Sequence, residues 1–227
     1  MAARLVPVTV PRAAVGAVLV LHGGAARPEK ARPENMAVSP AQLSVLRMIP
    51  VARQIGRAGR GQLAVFRLLN SYRGWDTRHT PVQDVHWALG EISRRLGRPV
   101  PTCLVGHSLG GRAALLAAGQ PGVVSIVALA PWLYARERAD PAGRRVLIVH
   151  GSNDRVASPQ HSADLARTLM PHGTVGYVLV RGGTHALLRR HRLVASLYTG
   201  FAVATLLGRD VPGPVAAILG GQHWAEI

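Results

Sequence analysis

Six short apolar runs recur along the chain, and segments with helical character separate them. The runs are AVLVL at 17–21, LAVFRLL at 63–69, TCLVGH at 102–107, VVSIVAL at 123–129, RVLIVH at 145–150 and VGYVLV at 175–180. Continuous runs of this kind are typical of strands buried on both faces, and their alternation with helices indicates parallel pairing. The sequence therefore predicts an α/β fold, a mostly parallel central sheet with helices on both faces. A further run, LVPVTV at 5–10, is expected to add an edge strand.

Helix-start signals stand between these strands. The stretch SPAQ at 39–42 places a capping serine, a proline in the first turn and a glutamine in the capping-box position. It predicts a helix that begins at Ser39, runs toward Gly56 and bends near Pro50, because proline cannot donate the helical hydrogen bond. Further helices are predicted at 80–96, 109–119, 159–170 and 189–207.

The length of 227 residues suits a single domain, 1–227. Residues 208–227 form a C-terminal extension without a clear pattern, in which Trp224 either docks the tail or mediates association. Only residues 130–144 separate two of the strands, which is too short for a helical lid domain. We therefore expect a fairly open site, and either a monomer or a homodimer.

The charge balance is strongly basic, with 27 Lys and Arg against 11 Asp and Glu, a formal net charge of +16. Two explanations stay open. One is an anionic partner or substrate; the other is a GC-rich genome, which accounts for arginine in place of lysine but not for the shortage of acidic residues. The basic residues are scattered and only 4% of residues are aromatic, which argues against a nucleic-acid-binding function.

Cysteine usage and hydropathy bound the class further. Cys103 is the single cysteine, which excludes an internal disulfide and argues against a metal cluster, so neither a metal nor a cofactor is expected. The chain has no uninterrupted apolar run of about 18 residues, so no transmembrane helix is expected. Pro7 and Pro11 interrupt the apolar N-terminal stretch, which disfavours a signal peptide, and we expect a cytoplasmic protein.

The stretch VGHSLGG at 105–111 carries the strongest chemical signal. Ser108 lies between Gly106 and Gly110, at the point where a predicted strand passes into a predicted helix. A sharp strand-to-helix turn lifts such a serine above the sheet, and the flanking glycines let neighbouring backbone approach closely. The alternative is a tight turn with a capping serine.

Two more polar side chains follow predicted strands at the same sheet edge. Asp154 lies just past the strand at 145–150, where it either orients a histidine or forms an ordinary turn with Asn153. His185 lies in a glycine-flanked loop just past the strand at 175–180, where a general base is within reach of both a serine and an aspartate.

The quoted segments LVLHGG, VGHSLGG, HGSNDRV and GGTHALL, in this order, resemble the α/β-hydrolase fold family over about residues 17–207. The resemblance implies Ser108 as nucleophile, His185 as base and Asp154 as its orienting partner. It also implies an oxyanion hole from backbone N–H groups, one from Leu109 and one from Gly24, with Ala25 as the next candidate. The resemblance implies a small lidless enzyme of the esterase, lysophospholipase or dienelactone-hydrolase-like kind.

The expected reaction is hydrolysis of a carboxylic ester or thioester through an acyl-enzyme on Ser108. Trp132 and Arg73 follow strands at the same edge and are candidate substrate contacts, and Arg73 suits an anionic substrate. For both side chains, packing or anchoring of a surface loop is an equally simple role. Two other functions stay open: a non-catalytic binding protein on the same fold, and a basic protein that binds anionic membrane or nucleic acid.

Overall fold

In the computed structural model, which describes residues 2–24, 37–141 and 143–227, eight strands form one sheet. The strands are β1 (Arg4–Thr9), β2 (Gly16–Leu21), β3 (Leu63–Leu69), β4 (Thr102–His107), β5 (Val123–Leu129), β6 (Arg145–Gly151), β7 (Val175–Val180) and β8 (Trp224–Glu226). Their spatial order is β1-β3-β2-β4-β5-β6-β7-β8. Strand β1 is antiparallel to β3, and all other neighbours are parallel. The predicted α/β class and the predicted edge strand are confirmed.

Helices cover both faces of the sheet. They are α1 (Leu43–Leu46), α2 (Met48–Ala58), α3 (Thr80–Leu96), α4 (Leu109–Leu116), α5 (Pro159–Leu169), α6 (His191–Leu207) and α7 (Pro214–Leu219). Every residue of β2 and β4 is buried, which is why both strands carry a continuous apolar run instead of alternating with polar residues. Alternate residues serve two cores: Leu19 and Leu104 pack on the side of α3, α4 and α5, whereas Val18 and Val105 pack on the side of α2, α6 and α7.

The predicted helix start at Ser39 is wrong. The Ser39 hydroxyl accepts from the N–H of Ala41 in a turn, and the helical segment begins at Leu43. It is also broken instead of bent, because α1 ends at Leu46 and α2 begins at Met48. The ring of Pro50 would clash with the carbonyl of Leu46 four residues earlier, so the chain restarts a helix with Pro50 in its first turn.

Other boundaries agree more closely. The helix at 80–96 has the predicted limits, and the hydroxyl of Ser158 caps α5 by accepting from the N–H of His161. Helix α4 ends at Leu116 instead of residue 119, and α6 begins at His191 instead of residue 189.

The C-terminal residues join the sheet. Strand β8 pairs in parallel with β7, and the ring of Trp224 stacks on Tyr177 at a centroid distance of 4.2 Å. Residues 130–141, which connect β5 toward β6, contain neither helix nor strand, and no lid domain is inserted there. Within the described residues, no helix has the length and hydropathy that crossing a membrane would need.

Candidate active site

The carboxyl ends of the parallel strands meet at one edge of the sheet, which we call the catalytic rim. It carries the loop His22–Gly24 after β2, Ser108 after β4, Asp154 after β6 and His185 after β7. In open α/β sheets this edge is where ligands bind, because the loops there diverge from a fixed scaffold. Parallel pairing thus brings together residues that lie far apart in the sequence.

Ser108 has the strained backbone of a nucleophile elbow. Its φ and ψ are 57° and −121°, a conformation that non-glycine residues rarely adopt, and its N–H donates to the carbonyl of Leu129 at 2.9 Å. A Cβ on Gly106 would lie 2.1 Å from the carbonyl oxygen of Gly110, and one on Gly110 would lie 2.5 Å from that of Leu21. The two glycines therefore let α4 start directly against β2 and β4, which holds the elbow in place.

A backbone contact between two loops sets the position of His185. A Cβ on Gly151 would lie 2.3 Å from the carbonyl oxygen of Gly183, so only glycine permits this approach. The same carbonyl accepts from the N–H of Asn153 at 2.8 Å. These contacts lock the loop after β7 against the loop after β6 and bring His185 beside Asp154.

Asp154 and His185 are hydrogen-bonded. The Nδ1 of His185 lies 2.8 Å from Oδ2 of Asp154, which is buried. Because an ionised carboxylate only accepts, Nδ1 carries the hydrogen and Nε2 is left as the basic nitrogen. This is the tautomer that a general base needs.

The same carboxylate has three other donors. The Nε2 of His150 lies 3.0 Å from Oδ2, and the N–H groups of Val156 and Ala157 donate to Oδ1 at 2.8 and 2.9 Å. Burial alone would raise the pKa of Asp154, but the two imidazoles and two amides outweigh burial and hold this pKa well below its usual range. Asp154 is therefore a fixed negative charge at neutral pH.

The sequence alone predicted no role for His150, which this network includes. The ring is fully buried, and the hydroxyl of Ser162 in α5 lies 2.7 Å from its Nδ1. Because an ionised carboxylate only accepts, Nε2 of His150 donates to Asp154, while the hydroxyl of Ser162, which donates to the carbonyl of Pro159 at 2.8 Å, lies against the other ring nitrogen. The spacing in the segment HGSND, with His150 four residues before Asp154, is the signal that could have identified it.

His107 supports the base from the other side. Its Nε2 donates to the carbonyl oxygen of His185 at 2.8 Å, and the two ring centroids are 4.8 Å apart. Burial, and next the proximity of His185, lower the pKa of His107 to about 3, so its ring is neutral. Because His107 immediately precedes Ser108, this contact ties the loop that carries His185 to the end of β4, beside Ser108.

The loop after β2 orients a backbone amide. His22 accepts from the N–H of Asn70 at Nε2, so its Nδ1 carries the hydrogen and donates to the carbonyl of Gly23 at 2.6 Å. The Gly23–Gly24 peptide is planar and trans, and the N–H of Gly24 therefore points away from His22. A Cβ on Gly24 would lie 3.3 Å from Cδ1 of Leu109, whose own N–H begins α4 and has no acceptor within the helix.

The predicted substrate contacts have mixed surroundings. Trp132 is partly buried, and its backbone N–H donates to the backbone carbonyl of Ser108 at 3.1 Å. Arg73 is exposed. Its backbone carbonyl oxygen packs so closely on Gly24 that a Cβ on Gly24 would lie 1.9 Å from it. Both residues thus lie at the catalytic rim, and their contact with a substrate stays a prediction. Ala25, the alternative amide, lies outside the described residues.

Buried Arg112 stabilises the segment around Trp132. Its guanidinium carbon is 4.0 Å from the ring centroid of Trp75 and 4.3 Å from that of Tyr134, and Glu137 pairs with its Nε at 2.7 Å. A desolvated guanidinium between two aromatic faces is a favourable cation–π arrangement. The guanidinium of Arg112 therefore fixes the positions of these rings and of Glu137 on this side of the catalytic rim.

Comparison with known proteins identifies the fold. No family model and no curated protein match the chain. A crystal structure of a protein of unknown function from Agrobacterium tumefaciens, described as a putative α/β hydrolase, is similar with a TM-score of 0.67 and 17% identity over 93% of this chain and 94% of the other. An α/β serine hydrolase without lid from Xanthomonas campestris gives 0.61 and 19% over 92% and 90%. Est1E from Butyrivibrio proteoclasticus gives 0.60 and 16% over 90% and 94%. At these identities the likeness establishes the α/β-hydrolase fold alone.

Proposed function

We propose that the protein hydrolyses a carboxylic ester or thioester through an acyl-enzyme on Ser108. The observation that carries the proposal is the hydrogen bond from His185 to Asp154, which leaves Nε2 of His185 basic at the same rim as the elbow serine. The fold supports it as well, since one similar structure is described as a serine hydrolase without lid.

Acylation follows from these groups. Nε2 of His185 accepts the proton of the Ser108 hydroxyl while Oγ attacks the carbonyl carbon and forms a tetrahedral oxyanion. Asp154 stabilises the imidazolium that results. The N–H groups of Leu109 and Gly24 hold the oxyanion, an interaction that contributes about 10²-fold or more in rate for each donor. Collapse of the intermediate expels the alcohol or thiol, which takes its proton from His185.

Deacylation repeats the cycle with water. His185 accepts a proton from water, whose oxygen attacks the acyl carbonyl, and Ser108 leaves with the proton returned from His185. The products are the carboxylic acid and the regenerated enzyme. No helical lid at 130–141 closes over the rim, so substrate and water reach it from solvent.

An anionic substrate suits the surroundings of the site. The chain carries a net charge of +16, and Arg73, an exposed residue, packs its backbone carbonyl against Gly24 at the catalytic rim. Basic surroundings raise the local concentration of an anionic ester and speed its association at low ionic strength. We infer that negatively charged esters react faster than neutral ones of equal size.

Ser108→Ala tests the proposal. We expect loss of burst release of p-nitrophenol from p-nitrophenyl acetate and loss of labelling by a fluorophosphonate, because no hydroxyl remains to form the covalent ester. Peptide mass spectrometry of the labelled wild-type protein should place the adduct on Ser108. Ser196→Ala, on the exposed face of α6, is the matched control and should keep both signals. Full hydrolysis by Ser108→Ala, or an adduct at another residue, would disprove the assignment.

A further inference from the structure

A cavity of about 440 Å³ opens next to the catalytic rim. It lies on the sheet face covered by α2 and α6, opposite the face covered by α4, which carries Arg112. It lies between α1, α2, the loop that follows His185 and the start of α6, and apolar side chains make up most of its wall. This volume is within the range of about 300–1,000 Å³ that small-molecule sites usually occupy. We call it the α2–α6 cavity.

The cavity wall is continuous with the proposed catalytic residues. Its wall includes His107, the residue before Ser108, and Ala186, the residue after His185. The hydrogen bond from His107 to the carbonyl of His185 joins these two parts of the wall. A group seated in the cavity is therefore close to the position where an ester bound to the rim would be cleaved.

Two of the polar side chains in this wall are already hydrogen-bonded. Tyr198 donates its hydroxyl hydrogen to the side-chain carbonyl of Gln54, and Nδ1 of His191 bonds the carbonyl of Leu188 at 3.2 Å. Among the described residues that line the cavity, none is a carboxylate. A wall that offers apolar surface and few free hydrogen-bonding groups favours hydrocarbon over water or a polar group.

The mouth of the cavity exposes large apolar side chains. Leu43, Leu46 and Leu188 are 79%, 42% and 62% exposed. Large apolar side chains that are exposed together at one opening are uncommon on protein surfaces, and such a patch is typical of a site that contacts an apolar ligand. Arg47, also in the wall, places a positive charge there for the polar end of such a ligand.

We propose that the α2–α6 cavity binds a hydrocarbon chain of the substrate, so that the substrate class is esters with a medium-length alkyl chain. This inference rests on the proposed hydrolase function. It also adds an expected location of substrate contacts, the wall of this cavity, to the predicted contact at Trp132. The chain belongs either to the acyl group or to the alcohol, and the two arms of the test distinguish them.

The test measures kcat/KM for two ester series. One series is p-nitrophenyl acetate, butyrate, hexanoate, octanoate and decanoate; the other is the acetate esters of ethanol, butanol, hexanol and octanol. Each methylene buried in the cavity should raise kcat/KM about fourfold until the cavity is filled. We expect this gain in one series, and that series identifies which side of the ester occupies the cavity.

Substitutions at Val51, which lines the cavity from α2, connect the length preference to this site. Val51→Phe fills the cavity. In the series that shows the gain, it should lower the ratio of kcat/KM for the eight-carbon ester to kcat/KM for the two-carbon ester by about tenfold. Val51→Ala enlarges it and should move the optimum to a longer chain. Val15→Phe, at an exposed position between β1 and β2, is the matched control and should leave the ratio as in the wild type. If Val51→Phe does not fold, Leu46→Ser at the mouth replaces it.

The two proposals fail in different ways. Ser108-dependent hydrolysis with no gain along either series, or a gain that the Val51 variants leave unchanged, overturns the cavity assignment and leaves the hydrolase function standing. Hydrolysis that persists in Ser108→Ala overturns the proposed function itself. A gain in one series that Val51→Phe abolishes and Val51→Ala extends supports both.

Discussion

Asp154 and Asp84 are both buried carboxylates, yet their surroundings shift their pKa values in opposite directions. Asp154 follows β6 at the catalytic rim and its pKa is lowered. Asp84 lies in α3, where it accepts from the N–H of Ser71 at 2.8 Å and from the hydroxyl of the same residue at 2.9 Å, and its pKa is raised. In both cases burial is the largest influence and acts to raise the pKa.

The difference lies in the donors. Asp154 accepts from two imidazole rings and two backbone amides, whereas Asp84 accepts from one serine and also feels the negative charge of Asp76. Buried carboxylates stay ionised only when several donors replace the water they lose. Only Asp154 has enough of them to be a permanent anion, which is what orienting a general base requires.

The largest expected effect follows from removing that anion. In Asp154→Asn the amide group can donate to Nδ1 of His185, which would move the ring hydrogen to Nε2 and leave no base for Ser108. We expect kcat for p-nitrophenyl acetate to fall about 10⁴-fold, with the fold retained by circular dichroism. Asp164→Asn, at an exposed carboxylate in α5, is the control and should keep kcat. A loss of less than tenfold in Asp154→Asn would mean that Asp154 does not orient the base.

A smaller effect is expected when one of the donors to Asp154 is removed. His150→Phe deletes the bond to Oδ2, and hydrogen bonds to charged groups contribute about 1.5–3 kcal/mol, so kcat/KM should fall about 10- to 100-fold. The full negative charge then acts on His185, so the acid limb of the pH–rate profile should move to higher pH. A role in packing alone would lower stability without moving that limb.

His150→Gln is the conservative variant, because its amide can still donate to the carboxylate. It should recover part of the lost rate and shift the acid limb back toward the wild-type position. Equal pH profiles for His150→Phe, His150→Gln and the wild type would contradict a positioning role.

The same contrast shows how much of the molecule the sequence could predict. Apolar runs located β2 to β7 because strands buried on both faces leave a continuous hydrophobic pattern. The order of Ser108, Asp154 and His185 at three strand ends predicted the candidate site. The direction of His150 toward Ser162 in α5 depends on the register of β6 and on helix packing, which no local pattern encodes.

Other structural features could not be predicted from the sequence for related reasons. Strand β8 has three residues, too few for a periodic pattern in the sequence. It lies beside β7, where the ring of Trp224 stacks on that of Tyr177. The α2–α6 cavity is assembled from four separate segments, so its existence follows from packing alone. The Pro50 signal was present, but the break falls about one turn earlier, after Leu46, whose carbonyl would clash with the ring in a continuous helix.

The smallest effect concerns Asp84 and sharpens the contrast through pH. Because its pKa is raised in the folded protein, the native state binds more protons than the unfolded state between about pH 4 and that raised pKa, and this carboxyl makes stability fall as pH rises there. The lowered pKa of Asp154 has the opposite sign: it adds stability above about pH 4, which is lost on acidification.

Asp84→Asn removes the first contribution and keeps an oxygen that can accept from Ser71. Relative to the wild type, its melting temperature should therefore rise between pH 4 and pH 7, by about 2–4 °C for each kcal/mol gained in a chain of this size. Thermal unfolding followed by circular dichroism at several pH values measures the difference. If Asp84→Asn instead loses stability relative to the wild type as pH rises, the Asp84 carboxylate is stabilised in its ionised form as Asp154 is. The number of donors would then not be what separates the two sites.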